Sequence, residues 1–599
     1  MKQSFRLFGL ILAMLLLVTA CDAGEQASNT SNNNGVSIPA NAIQISIIFA
    51  PESNRYLPET IEEFNRAYAD GTNPVTGAPL ADGERPIYVT GEPGSSGTIM
   101  QYIVNSVNGM SGDNTAQPVI FAPSVSHWLA LANFQSSREI FDLADARATA
   151  LAPVVMAIWE SRYDAIRQTI SDRDGVPFEE VEIGWSDLLD VLDSSNGWQD
   201  FGIPDGRRTV YYGHTDPFIS STALSTLIAE FYAASRSTGF DGRRIGLEQV
   251  NDPEVQQGVR EIEELIRHYS RRTTEFIEYI AQGPEYLDFV ALEENDLIAI
   301  NLGETSTSPP EPLVALYPAE GTFWHEHPFG IVNATWVTSE QQDAARVFTD
   351  YVLTPAVQQR IMAEGFRPAN NEVTLDYPFV AENGVRPEGP PQLLDVPAPE
   401  VIASIQESWA FVKKQADIWL VIDISGSMNN ENKLEQAQQA ALAFLDNMES
   451  TNRIGLAVFS NDVQILVELS EFESNEAELR VAIDGLEAEG NTFLYQAIID
   501  VLDLARQGEG DNRIRAVVVL SDGEDSRQGP TLNDVNQAIA SSQNDLNPII
   551  VIPVAYGEGA VTPEATRALT SIARESNTRV QSGAPEDIES LFELLSSYF

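Results

Sequence analysis

The chain is poor in cysteine, lysine and histidine. Cys21 is the only cysteine among 599 residues, so no intrachain disulfide can form and a cysteine-rich zinc site is excluded. Basic residues number 35 against 88 acidic ones, which gives a formal net charge of −53. A field of this sign repels nucleic acid and anionic lipid, so neither is an expected partner. The scarcity of lysine fits a protein from a saline habitat and an ordinary acidic exoprotein equally well.

The common catalytic motifs are also missing. There is no G-x-S-x-G nucleophile elbow, no H-E-x-x-H zinc motif and no P-loop. The stretch Gly94-Ser95-Ser96-Gly97 lacks the spacing of a hydrolase nucleophile. We therefore predict a binding protein and not an enzyme, with a metal-dependent hydrolase as the least favoured alternative.

Two histidines stand close together in His325-Glu326-His327. Residues two apart share one face of a strand, so this pair could chelate a metal. We favour a polar loop beside Phe323 and Trp324 instead.

The N-terminus has the pattern of a secretory signal. A charged start is followed by a mostly apolar run over residues 7–18, which is too short to span a bilayer. The stretch Val18-Thr19-Ala20-Cys21 resembles a bacterial lipobox. That resemblance implies a signal peptide over residues 1–20 and a lipidated Cys21 that anchors the chain to the membrane, facing outside the cytoplasm. The alternative is a plain secreted protein with a stray cysteine. Residues 21–42, rich in Ser, Asn, Gly and Ala, are predicted to be a flexible tether.

Ordered structure is predicted from residue 43 onward. Strands over 43–49, 87–89 and 119–122 alternate with helical stretches over 58–68 and from 99, which indicates α/β layering with parallel sheet. A proline-rich segment over 386–399 favours extended chain and precedes a predicted helix over 401–414. We therefore place the main domain boundary near Gln415.

Oxygen-bearing side chains follow the predicted strands of the C-terminal third. The unbroken apolar run Ile418 to Ile422 is typical of a buried parallel strand, and it ends in Asp423-Ile424-Ser425-Gly426-Ser427. A later strand over 517–520 is followed by Asp522. Because ligand groups collect at the carboxyl ends of parallel strands, we expect these side chains to meet.

Residues 416–599 resemble the von Willebrand factor type A (VWA) domain, which has a Rossmann-like, doubly wound fold. The resemblance is carried by D-x-S-x-S, a threonine on a later loop and an aspartate after a central strand, and the matching positions are Asp423, Ser425, Ser427, Thr492 and Asp522. It implies a metal-ion-dependent adhesion site in which the three hydroxyls ligate directly and the two carboxylates act through waters. Hard oxygen donors suit Mg²⁺, the expected ion, with Mn²⁺ or Ca²⁺ as alternatives.

A site with few direct carboxylates leaves charge on the cation. The resemblance therefore implies a protein partner whose acidic side chain completes the coordination. Two alternatives stay open: the serines and threonine could be ordinary cap and turn residues, or the site could hold a metal without a protein ligand.

Residues 43–415 resemble two-lobed extracellular solute-binding proteins. The resemblance rests on Gly94–Thr98 at a helix start, on Ala152–Trp159 where such chains cross between lobes, and on Tyr212–Pro217. Helix starts attract anions, so Ser95, Ser96, Ser220 and Ser221 could line a cleft for an oxyanion or small organic solute. Ordinary N-capping is the alternative.

Two functions follow from this organisation. The first is a membrane-anchored binding protein that holds a protein partner through its VWA metal. The second is a solute receptor of an ABC transporter, with the VWA domain as an accessory interaction module.

Overall fold

The computed structural model describes residues 38–582, apart from 40, 113, 193, 195, 205–209, 265, 271–272, 285, 447, 508–512, 523–524, 526–528, 544–548, 556–562, 577 and 579. The predicted signal peptide, Cys21 and nearly all of the tether lie outside the described residues. Within the described part of the chain, no helix combines the length and the apolar character that crossing a membrane requires.

The region before residue 416 alternates strands and helices. Its strands are β1 Ile43–Phe49, β2 Ile87–Pro93, β3 Ile120–Ala122, β4 Arg147–Ala148, β5 Ala150–Trp159, β6 Tyr212–Thr215, β7 Ile266–Ser270, β8 Phe289–Glu293, β9 Leu313–Leu316, β10 Trp324–His325, β11 Pro328–Ile331 and β12 Arg367–Pro368. Its α-helices are α1 Leu57–Ala69, α2 Ser96–Val107, α3 His127–Ser136, α4 Glu160–Asp174, α5 Trp185–Leu192, α6 Ser221–Ser237, α7 Leu247–Val250, α8 Pro253–Glu263, α9 Thr273–Ile280, α10 Glu294–Asn301, α11 Ser339–Val352, α12 Pro355–Ala363 and α13 Pro399–Val412. Short 3₁₀ helices cover Pro51–Arg55, Phe178–Glu180, Gly197–Gln199 and Ala381–Asn383.

These strands form two separate sheets, which define two lobes. The first sheet has the order β2-β1-β3-β11-β4, with β1 parallel to β2 and β3. The second has the order β10-β5-β8-β6-β7, and β9 and β12 also pair with β5. The chain passes from the first sheet to the second at Thr149, between β4 and β5, just before the stretch Ala152–Trp159 where the sequence predicts a lobe crossing, and it returns through β11.

Apolar faces explain why the helices pack where they do. On α1, Ile61, Phe64 and Tyr68 recur at helical spacing and are buried against the first sheet, together with Phe348 of α11. Phe64 and Phe348 meet edge to face with ring centroids 5.0 Å apart. The second lobe has its own core, to which α9 and α10 contribute.

Helix α13 connects the two-lobed region to the C-terminal domain. Its apolar side chains Val401, Ile405, Trp409 and Val412 belong to a buried cluster that continues into one face of the C-terminal sheet. Three residues, 413–415, separate α13 from the first C-terminal strand. The connection is held by hydrogen bonds to the second lobe: Lys414 Nζ donates to the Ile266 carbonyl at 3.0 Å, and Arg260 Nε to that of Phe411 at 3.1 Å.

The C-terminal domain is a doubly wound sheet. Its strands are β13 Ala416–Asp423, β14 Arg453–Phe459, β15 Val463–Glu471, β16 Ile514–Ser521, β17 Ile549–Ala555 and β18 Gln581–Ser582, in the order β15-β14-β13-β16-β17-β18. Only β15, at one edge, is antiparallel to its neighbour among these strands. The helices are α14 Lys433–Asp446, α15 Phe472–Asp484, α16 Leu494–Arg506, α17 Leu532–Gln543 and α18 Pro563–Glu575, with a 3₁₀ helix at Gly426–Asn432.

Helices cover both faces of this sheet. Residues of α14 and α15 pack on one face, and residues of α16, α17 and α18 pack on the other. Every residue of β13 is therefore buried, which accounts for its continuous apolar run. The carboxyl ends of β13 and β16 stand side by side, since Ile422 pairs with Leu520 in the parallel register.

Candidate functional site

Asp423 lies at the carboxyl end of β13 and is fully buried. The backbone N–H of Ser425 donates to Asp423 Oδ1 at 2.9 Å, and the Ser521 hydroxyl donates to Asp423 Oδ2 at 2.6 Å. Burial raises the pKa of Asp423 to about 6, partly offset by these hydrogen bonds. The carboxylate is thus held in one orientation at the sheet edge by a donor from the loop after β13 and a donor from the neighbouring strand β16.

Ser425 and Ser427 lie on the loop that opens the 3₁₀ helix. Their hydroxyl oxygens are 3.0 Å apart, so both face the same point beside Asp423. Ser425 is fully buried, and Ser427 is half-buried.

The loop that carries Thr492 packs directly against this serine loop. The Gly426 backbone N–H donates to the Gly490 carbonyl at 3.0 Å. Gly490 has a φ of +89°, and a Cβ there would lie 2.4 Å from Asn461 Nδ2, so this turn requires glycine. Thr492 itself is buried, with 5% of its surface exposed.

Asp522 follows β16 and completes the edge. Its Oδ2 accepts from Lys433 Nζ at 3.1 Å, in an ion pair whose side chains are 8% and 7% exposed. Its Oδ1 is buried and has no hydrogen-bond partner among the described residues. A buried carboxylate oxygen without a donor is costly, so this atom is available to a cation or an ordered water.

Lys433 was not found by the sequence analysis. It is the first residue of α14, where the positive end of the helix dipole disfavours a cation unless an acidic partner is present. A lysine at the start of a helix, in a chain with so few lysines, is the sequence signal from which a buried ion pair of Lys433 could have been inferred.

The five residues fit a hard divalent cation. Three hydroxyls and two carboxylates supply only oxygen, and one carboxylate oxygen is buried without a donor. Asp423, Ser425 and Ser427 are in direct contact, and the loops bearing Thr492 and Asp522 lie against them.

The four serines proposed for a solute cleft lie where the two lobes meet. The Gly97 N–H at the start of α2 donates to the Ile219 carbonyl just before α6 at 3.1 Å. Ser220 Oγ accepts from the Ala223 N–H and pairs with Thr273 Oγ1, while Ser221 Oγ accepts from Trp128 Nε1 at 2.9 Å.

The other pair is engaged less strongly. Ser96 Oγ accepts from the Ser124 N–H at 3.4 Å, and Ser95 makes no side-chain capping bond. The two helix starts are adjacent and directly hydrogen-bonded, and three of the four hydroxyls bind protein groups.

The expectation of a polar loop at His325-Glu326-His327 is wrong. Both histidines are buried, and both share the Glu293 carboxylate: His325 Nδ1 is 2.7 Å from Oε1, and His327 Nε2 is 3.0 Å from Oε2. Their other ring nitrogens pair with Ser225 and Ser53. His325 ends β10, and His327 lies in the turn before β11 with a φ of +42°, so the turn and not strand alternation brings both rings to one carboxylate. Against the effect of burial, the two histidines hold the pKa of Glu293 at about 2.

Comparison with known families assigns the C-terminal domain. The family model for the von Willebrand factor type A domain matches residues 417–593. Domains of this family commonly bind a divalent cation at a metal-ion-dependent adhesion site.

Known proteins match parts of the chain. The protein sll0103 of Synechocystis sp. is 32% identical over 108 residues, or 18% of this chain and 25% of that protein. Inter-alpha-trypsin inhibitor heavy chain H3 of Homo sapiens is 28% identical over 134 residues, or 20% of this chain and 15% of that protein. The chain thus spans a quarter or less of the length of these curated relatives.

One solved structure is similar to this chain over part of its length. A solved periplasmic thiamin binding protein is 11% identical, covers 62% of this chain and 97% of its own, and has a TM-score of 0.40. The description of two lobes rests on the two separate sheets of this structure.

Proposed function

Because residues 417–593 form a VWA domain, we propose that this chain is an extracytoplasmic binding protein that holds a protein partner through a divalent cation. Asp423, Ser425, Ser427, Thr492 and Asp522 would hold the ion. Mg²⁺ is the expected ion, with Mn²⁺ or Ca²⁺ as alternatives. The observation that carries the proposal is the meeting of three loops, which bear these five residues, at one sheet edge beside a buried Asp522 oxygen that lacks a donor among the described residues.

The residues of the chain prepare this edge before any ligand arrives. Ser521 and the Ser425 N–H fix Asp423, and Lys433 fixes one oxygen of Asp522 so that the other stays available. When bound, the cation supplies Lewis acidity that accepts a carboxylate oxygen from the partner. Since the hydroxyl ligands are neutral, they leave that charge largely uncompensated, which favours an acidic partner residue.

The N-terminal sequence supports a location outside the cytoplasm, at the membrane surface. Lipidation of Cys21 would anchor the chain to the membrane, and residues 22–42 would hold the folded part away from the surface. In this proposal the two-lobed region is the scaffold that presents the VWA domain.

The decisive measurement is calorimetric titration of the chain with Mg²⁺ and Mn²⁺ after chelator treatment. We expect one site in the wild type and none in Asp423→Ala or in the isosteric Asp423→Asn. Asp503→Ala, which removes an exposed carboxylate from α16, is the control and should bind as the wild type does. Unchanged Mg²⁺ binding in both Asp423 variants would show that the ion is held elsewhere.

Partner binding is tested separately, with cell-envelope extract passed over the immobilised chain. A partner held through the metal should be retained with Mg²⁺ and released by chelator, and Asp423→Asn should not retain it. Retention that survives both chelator and Asp423→Asn would contradict the metal-mediated mode.

A further inference from the structure

A second group of metal-ligating side chains lies in the other half of the molecule. His214 of β6, Glu230 of α6 and Glu263 of α8 each direct one ligand atom to a common point, and these atoms lie within 4.8 Å of one another. The residues are 2%, 0% and 0% exposed. They belong to the second lobe and share no residue with the C-terminal edge described above.

The histidine presents a lone pair to this point. His214 Nδ1 lies 2.7 Å from the Thr215 carbonyl oxygen. A carbonyl oxygen can only accept, so Nδ1 carries the ring proton and Nε2 is an acceptor. Nε2 is buried without a hydrogen-bond partner in the described part of the chain. In metal-bound histidines, one ring nitrogen binds the metal while the other donates its proton to a carbonyl or carboxylate, and His214 has this arrangement with Nε2 available.

The two glutamates also present bare oxygens. Glu230 Oε2 and Glu263 Oε1 are buried, and neither meets a hydrogen-bond donor in the ranges that the structure covers, although the two carboxyl groups lie close enough to share a proton with each other. Each glutamate is held through its other oxygen: Tyr269 donates to Glu263 Oε2 at 2.7 Å, and Tyr212 to Glu230 Oε1 at 3.4 Å. Three acceptors thus converge on one buried point, where two carboxylates cannot both stay ionised without a cation between them.

From this geometry we infer that His214, Glu230 and Glu263 form a second metal site, which takes a divalent ion with mixed nitrogen and oxygen preference such as Zn²⁺. An imidazole ligand distinguishes the site from the all-oxygen C-terminal edge, because Mg²⁺ and Ca²⁺ prefer oxygen whereas Zn²⁺ accepts nitrogen and carboxylate together. Tetrahedral bonds of about 2.0–2.2 Å separate ligand atoms by roughly 3.4 Å, so atoms that now lie up to 4.8 Å apart would approach one another by up to about 1.4 Å around the ion. A water would fill the fourth position.

The groups around this site come partly from the segment that leads into the VWA domain. The Trp409 ring of α13 lies against His214 and Tyr269, with centroids 5.3 and 5.4 Å away. The Lys414 backbone N–H donates to the Tyr269 hydroxyl at 2.9 Å. An ion at this point would crosslink β6, α6 and α8 next to α13.

Because the site is buried, the ion must enter during folding, and the test uses refolded protein. The full chain carrying Asp423→Asn, which removes the C-terminal metal site, is unfolded with chelator, desalted and refolded with or without Zn²⁺. We expect one tightly held zinc per chain by elemental analysis and a higher midpoint of urea unfolding with Zn²⁺. X-ray absorption should show one nitrogen ligand among oxygens.

Glu230→Gln and Glu263→Gln keep the side-chain volume and should each weaken zinc binding by about a hundredfold or more. Glu261→Gln, on the exposed side of α8, is the matched control and should retain the zinc. Circular dichroism shows whether each variant folds. If a glutamine variant does not fold, the X-ray absorption spectrum of the refolded Asp423→Asn chain still tests whether the zinc has one nitrogen ligand among oxygens.

Two results would overturn the inference. One is a refolded Asp423→Asn chain that holds no zinc, in which case the glutamates share a proton instead. The other is zinc retained unchanged in both glutamine variants. Neither result bears on Mg²⁺ binding by the wild type, so a failure here is distinguishable from a failure of the proposed function.

Discussion

Replacing Lys433 with methionine should weaken the fold and strengthen metal binding at the same time. Lys433 Nζ lies 3.1 Å from Asp522 Oδ2, and both side chains are almost fully buried. At an effective dielectric constant of about 20, their attraction is about 5 kcal/mol, offset by the cost of removing both charges from water. Removing one partner of such a pair costs about 3–5 kcal/mol, because the remaining charge stays buried.

A bound divalent ion should recover part of that loss. In Lys433→Met both Asp522 oxygens lack a donor, and the ion becomes the counter-charge that the ammonium supplied. The wild-type ammonium also repels the incoming cation. If the ion recovers about 1.4–2.8 kcal/mol, Mg²⁺ affinity rises by about 10- to 100-fold, since each 1.4 kcal/mol is a factor of ten.

Urea unfolding with chelator and with saturating Mg²⁺, combined with calorimetric titration, measures both effects. Lys413→Met is the matched control, since Lys413 is equally buried but pairs with Glu449, away from the sheet edge that carries Asp423 and Asp522. It should lose stability without any gain in Mg²⁺ affinity. Equal or weaker Mg²⁺ binding by Lys433→Met would refute the idea that the ammonium and the ion compete for Asp522.

Two further expectations concern the two-lobed region. His127 is buried with both ring nitrogens unpartnered among the described residues, and burial lowers its pKa to about 3. As pH falls below about 6.5, the unfolded chain gains a proton at His127 that the folded chain does not bind. His127→Leu should therefore reduce the loss of unfolding free energy between pH 6.5 and 5 by about 1.6 kcal/mol in total, and an unchanged pH slope would contradict this. A Cβ at Gly97 would lie 1.9 Å from the Phe218 carbonyl oxygen across the lobe contact, so Gly97→Ala should lower the unfolding free energy by about 1–3 kcal/mol in urea, and an unchanged midpoint would show that the contact yields without cost.

Periodicity identified the central strand of the C-terminal sheet but not every strand of the molecule. The run 418–422 predicts β13, because helices cover both faces of that strand and leave no polar position between Ile418 and Ile422. Strand β15 was missed although apolar residues alternate at 463, 465, 467 and 469, and most of its residues are exposed at the sheet edge. Helix α13 was found, and in the structure it begins at Pro399 and ends at Val412 instead of spanning 401–414.

Sites were predictable only where a short motif marks them. The D-x-S-x-S motif identifies Asp423, Ser425 and Ser427 because these residues are nearly adjacent in the chain. His214, Glu230 and Glu263 have no such spacing, since a strand and two helices must pack before their side chains meet. In a chain with 88 acidic residues, composition alone could not single out two glutamates.

The three-residue connection at 413–415 has a mechanical consequence. It spans at most about 11 Å, and hydrogen bonds hold Phe411, Lys414 and Gln415, so it gives little freedom to swivel. The metal edge lies at the far end of β13, eight residues and roughly 23 Å from this joint. A force applied at the carboxyl end of β13 would therefore pass along this central strand into α13 and the second lobe, with little rotation at the connection.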